Sequence, residues 1–125
     1  MADATYPTVT PYLIVDDADA LLKFITAAFG ATEQMIDRRP DGTVGHAEMR
    51  IGSSLIMVGQ AGGPWKPRTA AFYLWIDDVD AAYGRALRAG ATSESAPEDK
   101  PYGHRNAGVD MCGITWWLGA PIQAR

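Results

Sequence analysis

Apolar residues recur along this chain with two periods, and the same succession of periods occurs twice. Tyr12-Leu13-Ile14-Val15 is a short run of strand formers closed by the acidic pair Asp16-Asp17. Such a pair announces a helix, because a carboxylate can accept the backbone N–H groups that a first turn leaves bare. Ala18, Leu21, Leu22, Ile25, Ala28 and Phe29 then recur every three or four residues and line one helical face. Gly30 stands where a helix ends on a left-handed residue. Thr32 to Arg38 and Val44 to Ile51 flank the turn signal Pro40-Asp41-Gly42, and Gly52-Ser53 leads on to Leu55 to Val58. Three strands joined by tight turns are antiparallel neighbours.

The second succession begins at Tyr73-Leu74-Trp75-Ile76 and the pair Asp77-Asp78, followed by Val79, Ala82, Tyr83, Ala86 and Leu87 at helical spacing, then Gly90. Its later strands are weakened by Pro97, Pro101 and glycines, but Ile114 to Leu118 is clear. Tyr12 and Tyr73 are 61 residues apart, whereas Gly30 and Gly90, like Gly59 and Gly119, are 60 apart, so the second copy has lost one residue. A repeat of this length is a duplicated supersecondary unit. The prediction is an α+β domain over residues 1–125 with eight strands and two helices. It comprises two tandem βαβββ modules, about 8–59 and 70–119, joined by a Gly/Pro-rich linker over 60–69.

Strand alternation assigns faces. Leu13, Val15, Ala47, Met49, Ile51, Ile56, Val58, Phe72, Leu74, Ile76, Trp116 and Leu118 should pack under the helices. The other face receives Thr10, Tyr12, Ile14, His46, Glu48, Arg50, Leu55, Met57, Ala71, Tyr73, Trp75, Thr115 and Trp117. That second face is rich in aromatic and apolar groups, and a face of this kind is covered by a ligand, by the other module or by another subunit.

Net charge is −4 and the isoelectric point about 5.0, which argues against nucleic acid as a partner. MADATYPTVT has neither the basic nor the apolar segment of a targeting peptide, and no run approaches a membrane span. Cys112 is the one cysteine, at a turn, and fits a reducing cytoplasm better than a nucleophile's setting. The four aspartates of the acidic pairs are expected as helix caps, and His104 as a loop residue.

The stretches from Tyr12 to Gly59 and from Phe72 to Gly119 resemble the vicinal oxygen chelate superfamily, which includes glyoxalases, extradiol dioxygenases and bleomycin-resistance proteins. The resemblance implies a curved mixed sheet with a concave ligand face and the helices outside. For metal-dependent members it implies four ligands related by the repeat, usually His or Gln on the first strand and Glu on the last strand of each module. Counted from the acidic pairs and from Ser53 and Gly113, these fall on Thr10, Ala71, Met57 and Trp117, side chains that hard divalent ions do not choose. Other members hold a drug or metabolite without metal, in grooves between the subunits of a dimer.

The sequence therefore predicts a cytoplasmic, homodimeric protein that sequesters an aromatic or planar compound such as an antibiotic, with no metal, no cofactor and no catalytic residue. Trp75, Trp117, Tyr12, Tyr73 and Met57 would line its pocket. His46, Glu48 and Arg50 would add polar contacts, Arg50 bridging to Glu48 along the same face. Trp65, in the linker, would act as a lid or fill the dimer seam. The alternative is a metal-dependent lyase or dioxygenase with its site rearranged around His46 and Glu48.

Overall fold

In the computed structural model, which describes residues 6–122, each acidic pair turns a strand into a helix. β1 (Tyr12–Val15) leads into α1 (Ala18–Phe29), whose first turn is capped by Asp17, its carboxylate accepting the Ala20 N–H at 3.0 Å. Gly30 closes α1 at φ +69°. β2 (Thr32–Arg38), β3 (Val44–Ile51) and β4 (Ser54–Gln60) follow. The second succession is β5 (Ala70–Trp75), α2 (Val79–Arg88), β6 (Thr92–Asp99), β7 (His104–Met111) and β8 (Ile114–Pro121), and Asp78 caps α2 by accepting the Ala81 N–H at 3.1 Å.

The strands form two four-stranded mixed sheets, ordered β1-β4-β3-β2 and β5-β8-β7-β6. In each, the helix carries the chain back so that the first strand lies parallel to the last, and the remaining pairs are antiparallel hairpins. Register preserves the duplication at the centre of the sheets, with a one-residue shift toward the β6–β7 hairpin. Glu48 faces Met57 as Gly108 faces Trp117, and Tyr12 faces Met57 as Tyr73 faces Trp117. The chain divides into two compact units. One holds residues 30–68 with the chain up to Thr26, and the other holds residue 69 onward with Ala27–Phe29, the end of α1.

Burial follows the alternation along the strands. Leu13, Val15, Ala47, Met49 and Val58 are buried in the first unit with the apolar stripe of α1. In the second, Val79, Ala82, Ala107, Leu118 and Ala120 form the core, joined by Phe29, Leu74, Ile76 and Tyr83. Trp116, 1% exposed, lies between Phe29 and Phe72 with ring centroids 5.4 and 5.6 Å away, as expected of a core indole. Leu55 shares the helix-free face with Arg50, its partner across β3 and β4, and is nevertheless buried at 2% exposure. One assignment needs correction. His104 opens β7 instead of lying in the loop, because the Lys100 N–H bonds its carbonyl at 2.7 Å and Gly103, at φ +90°, completes the turn before it.

Candidate ligand-binding site

The helix-free faces are shaped by glycines that let aromatic rings lie down on the sheet. Gly108 stands opposite Trp117, and a Cβ there would be 2.5 Å from the indole Cζ3. Gly119 seats the Tyr73 ring so closely that a Cβ would overlap it. Its repeat mate Gly59 seats Tyr12, with a Cβ position 3.2 Å from the hydroxyl. A ring held on backbone on one side presents its other side outward. Accordingly Tyr12 and Tyr73 stay exposed and Trp117 half-buried.

On the first sheet these positions carry a continuous polar chain. Glu48, 5% exposed, accepts from the Tyr6 hydroxyl at 2.8 Å and from Gln34 Nε2 at 3.0 Å on one oxygen, while its other oxygen is 3.0 Å from His46 Nε2. These bonds, that of His46 foremost, hold the Glu48 carboxyl below its ordinary range, and burial opposes them. An ionised Glu48 only accepts, so Nε2 of His46 carries a proton. In the neutral imidazole Nδ1 then accepts from the Tyr12 hydroxyl, 3.1 Å away. Arg50 does not reach Glu48 directly, contrary to expectation. Its Nε donates to Gln34 Oε1 at 2.8 Å, and Gln34 makes the link. At the other end of this face a hollow of about 370 Å³ opens between Tyr12, Ile14, Arg39, Gly45, Gly59, Gln60 and Trp65. Trp65 is 64% exposed on a tight turn in which Gly62 and Trp65 exchange backbone hydrogen bonds of 2.8 and 2.9 Å. Gly63, at φ +54°, allows that turn.

The second sheet carries an aromatic group instead. Trp75 packs on Tyr73 with centroids 4.8 Å apart and edge-on to His104 at 5.0 Å, and Tyr102 meets His104 at 5.6 Å. Asn106, the mate of His46, donates to the Tyr102 hydroxyl at 3.0 Å. Glu94 and Asp110, mates of Gln34 and Arg50, lie together, and a hydrogen bond to Asp110, followed by its charge, raises the Glu94 carboxyl above its ordinary value.

A family model described as "Glyoxalase/Bleomycin resistance protein/Dioxygenase superfamily" matches residues 6–118. The chain belongs to that superfamily. An uncharacterized protein of Mycobacterium tuberculosis is 36% identical over 135 residues, covering 98% of this chain and 79% of its own length. TioX from Micromonospora sp. ML1 superposes with a TM-score of 0.78 at 25% identity, over 94% of this chain and 100% of that one. The fosfomycin resistance protein FosX from Mesorhizobium loti, at 17% identity, shares the fold with a TM-score of 0.68 over 93% of this chain and 92% of its own.

Within this glyoxalase-type superfamily the four metal-ligand positions can be tested for fit. Met57 and Trp117 are paired across the sheet with Tyr12 and Tyr73, as the repeat requires. Thr10 Oγ1 is near the Pro7 carbonyl at 3.5 Å, and Ala71 lies exposed on β5. One hydroxyl, one thioether, a methyl and an indole do not make a divalent-cation site. His46 and Glu48 are bonded to each other and to three further groups. Among the described residues no group of three or more His, Cys, Asp or Glu gathers to hold an ion. Sequence reasoning missed Tyr6, Gln34, Arg39, Tyr102 and Asn106. Only the glycines opposite each tyrosine, repeated at 59 and 119, could have signalled the seats in advance.

Proposed function

We propose that this superfamily member is a metal-independent binder that sequesters a planar aromatic compound, an antibiotic being the apt class, and acts in the cytoplasm as a homodimer. The observation that carries this reading is the set of rings seated on glycine. Tyr12, Tyr73 and Trp117 are fixed flat by the backbone beneath them, so each offers a rigid stacking surface whose ordering cost is already met. Met57, next to Tyr12, adapts its shape to the ligand's edge. His46 and Glu48 are engaged with each other and Arg50 with Gln34, so they shape the polar rim while the rings carry the affinity. Trp75 belongs to the same aromatic group. Among the described residues no helix is long and apolar enough to cross a membrane, which accords with this placement.

Quenching of tryptophan fluorescence by a panel of planar aromatic compounds tests the reading. Saturable quenching by at least one of them, lost in Trp117→Ala, is expected. No quenching by any compound would refute it. Metal analysis of the purified protein provides a second check: a stoichiometric divalent ion would favour a metal-dependent lyase or dioxygenase built around His46 and Glu48.

A further inference from the structure

We infer that the hollow beside Tyr12 selects a planar aromatic carboxylate, whose charged group is received by Arg39. This rests on the aromatic-binding reading and adds the ligand's charge to it. The stem of Arg39 crosses Gly45, where a Cβ would lie 3.3 Å from its Cγ, and Arg39 lines the hollow. There Nη2 donates to the Gln60 carbonyl at 2.9 Å, and Nη1 makes a long 3.4 Å contact with Thr43 Oγ1. Both acceptors are neutral, and a guanidinium has five N–H groups to place. Among the described residues no carboxylate forms an ion pair with Arg39.

The cations nearest to Arg39 in sequence and in the repeat are instead paired with carboxylates. Arg38, one residue earlier, is bidentate on Asp19 at 2.8 and 3.2 Å. Arg105 binds Asp80 twice and Asp99 once. The duplication supplies a closer control. The hairpin bond from the Arg39 N–H to the Thr43 carbonyl (2.8 Å) recurs as that from the Lys100 N–H to the His104 carbonyl (2.7 Å), so Lys100 is the mate of Arg39. Lys100 is paired with Glu98 at 3.1 Å. Asp41, two residues from Arg39, is bonded to the Thr43 N–H (2.9 Å) and hydroxyl (2.6 Å), and the Arg39 charge reaches it without a direct ion pair.

An arginine without a direct carboxylate partner in a chain of net charge −4, lining an apolar hollow, is arranged to receive an anion. The apolar walls, Tyr12, Ile14 and Trp65, call for a flat hydrocarbon body behind that anion. A bicyclic aromatic acid fits the volume.

Equilibrium dialysis of the full chain with 2-naphthoate and with its neutral isostere 2-naphthamide tests this. The acid should bind at least about tenfold tighter than the amide, since a charge-assisted pair is roughly twice as strong as a neutral hydrogen bond, and added salt should erode that preference. Arg39→Gln should abolish the preference, Arg39→Lys should keep part of it, and Lys100→Gln should leave it intact. Circular dichroism establishes that the variants fold. Equal binding of acid and amide, unaffected by Arg39→Gln, would overturn the role of Arg39 and leave the aromatic-binding reading standing. Failure of both compounds to bind, with other aromatics still quenching the indoles, would place recognition outside this hollow and overturn the inference alone.

Discussion

At the scale of single residues, the helix-free faces depend on which positions lack a side chain. Gly108 and Trp117 are one decision, because the indole occupies the space that any Cβ at 108 would need. Gly108→Ala must push the ring off the sheet, an overpacking that costs about 1–3 kcal/mol. It should lower the urea midpoint and shift Trp emission, while Gly42→Ala, with nothing within 4 Å of its Cβ position but φ at +89°, should cost stability without moving the indole signal. Glu48 makes the opposite case, a buried charge satisfied on both oxygens. Its carboxyl pKa is depressed below the ordinary 4.5, most by the His46 hydrogen bond. The unfolded chain therefore takes up that proton at a higher pH than the folded one. The stabilisation is complete above the unfolded carboxyl's pKa and is lost as pH falls through the lower folded value. Glu48→Gln turns an amide donor toward groups that themselves donate, and should cost about 1–3 kcal/mol at pH 7. Urea melts of wild type and variant should converge in acid, and a difference that stayed constant from neutral pH downward would contradict the network.

At the scale of elements, the caps predicted from the acidic pairs can be tested directly. Asp17 and Asp78 occupy repeat-related positions, each accepting one N–H of its own helix. Asp17→Ala and Asp78→Ala should each cost about 1 kcal/mol, and, sharing no partner, they should add in the double variant. A thermal melt in which one substitution was silent would show that helix held by packing alone. Both helices and strands β1 to β5 and β8 were legible because each signal was local (a period, a cap, a turn glycine), whereas β6 and β7, weakened by Pro97 and by glycines, were legible only through the repeat. Cys112 was also legible from a local signal at its turn, where it takes φ +56° beside Gly113 at +76°. The site was legible only in part. Alternation gave the face of Trp75, Trp117, Tyr12, Tyr73, His46 and Glu48. It could not give Gln34 as the link between Arg50 and Glu48, because that contact depends on the β2–β3 register, which a bulge shifts between Glu33 and Met35. Nor could it give Arg39, whose role follows from what its neighbours leave unpaired. His104 was misread because Gly103 looked like the middle of a loop, whereas it closes a turn and releases the chain into β7.

For the molecule as a whole, duplication followed by divergence has given the two sheets different surfaces on the same framework. The first carries the Tyr12–His46–Glu48–Gln34–Arg50 chain, and the second has Tyr73, Asn106, Gly108, Glu94 and Asp110 at the matching positions, with Trp75, Tyr102 and His104 gathered beside Tyr73. Trp75 and Tyr102 are each 63% exposed. Large aromatic side chains gathered on one face carry an energetic cost in water, and their burial is the natural drive for a second copy of the chain to dock there. If this patch is the seam of the proposed homodimer, light scattering should give twice the 13.5 kDa chain mass. The dimer should also survive salt up to about 1 M, where the screening length falls to roughly 3 Å and surface ion pairs fade. Trp75→Glu, which puts a charge into the seam, should return the mass to that of one chain. It should leave the helical signal intact, because this side chain lies outside the core. A dimer indifferent to Trp75→Glu would place the seam elsewhere and leave that indole to the ligand.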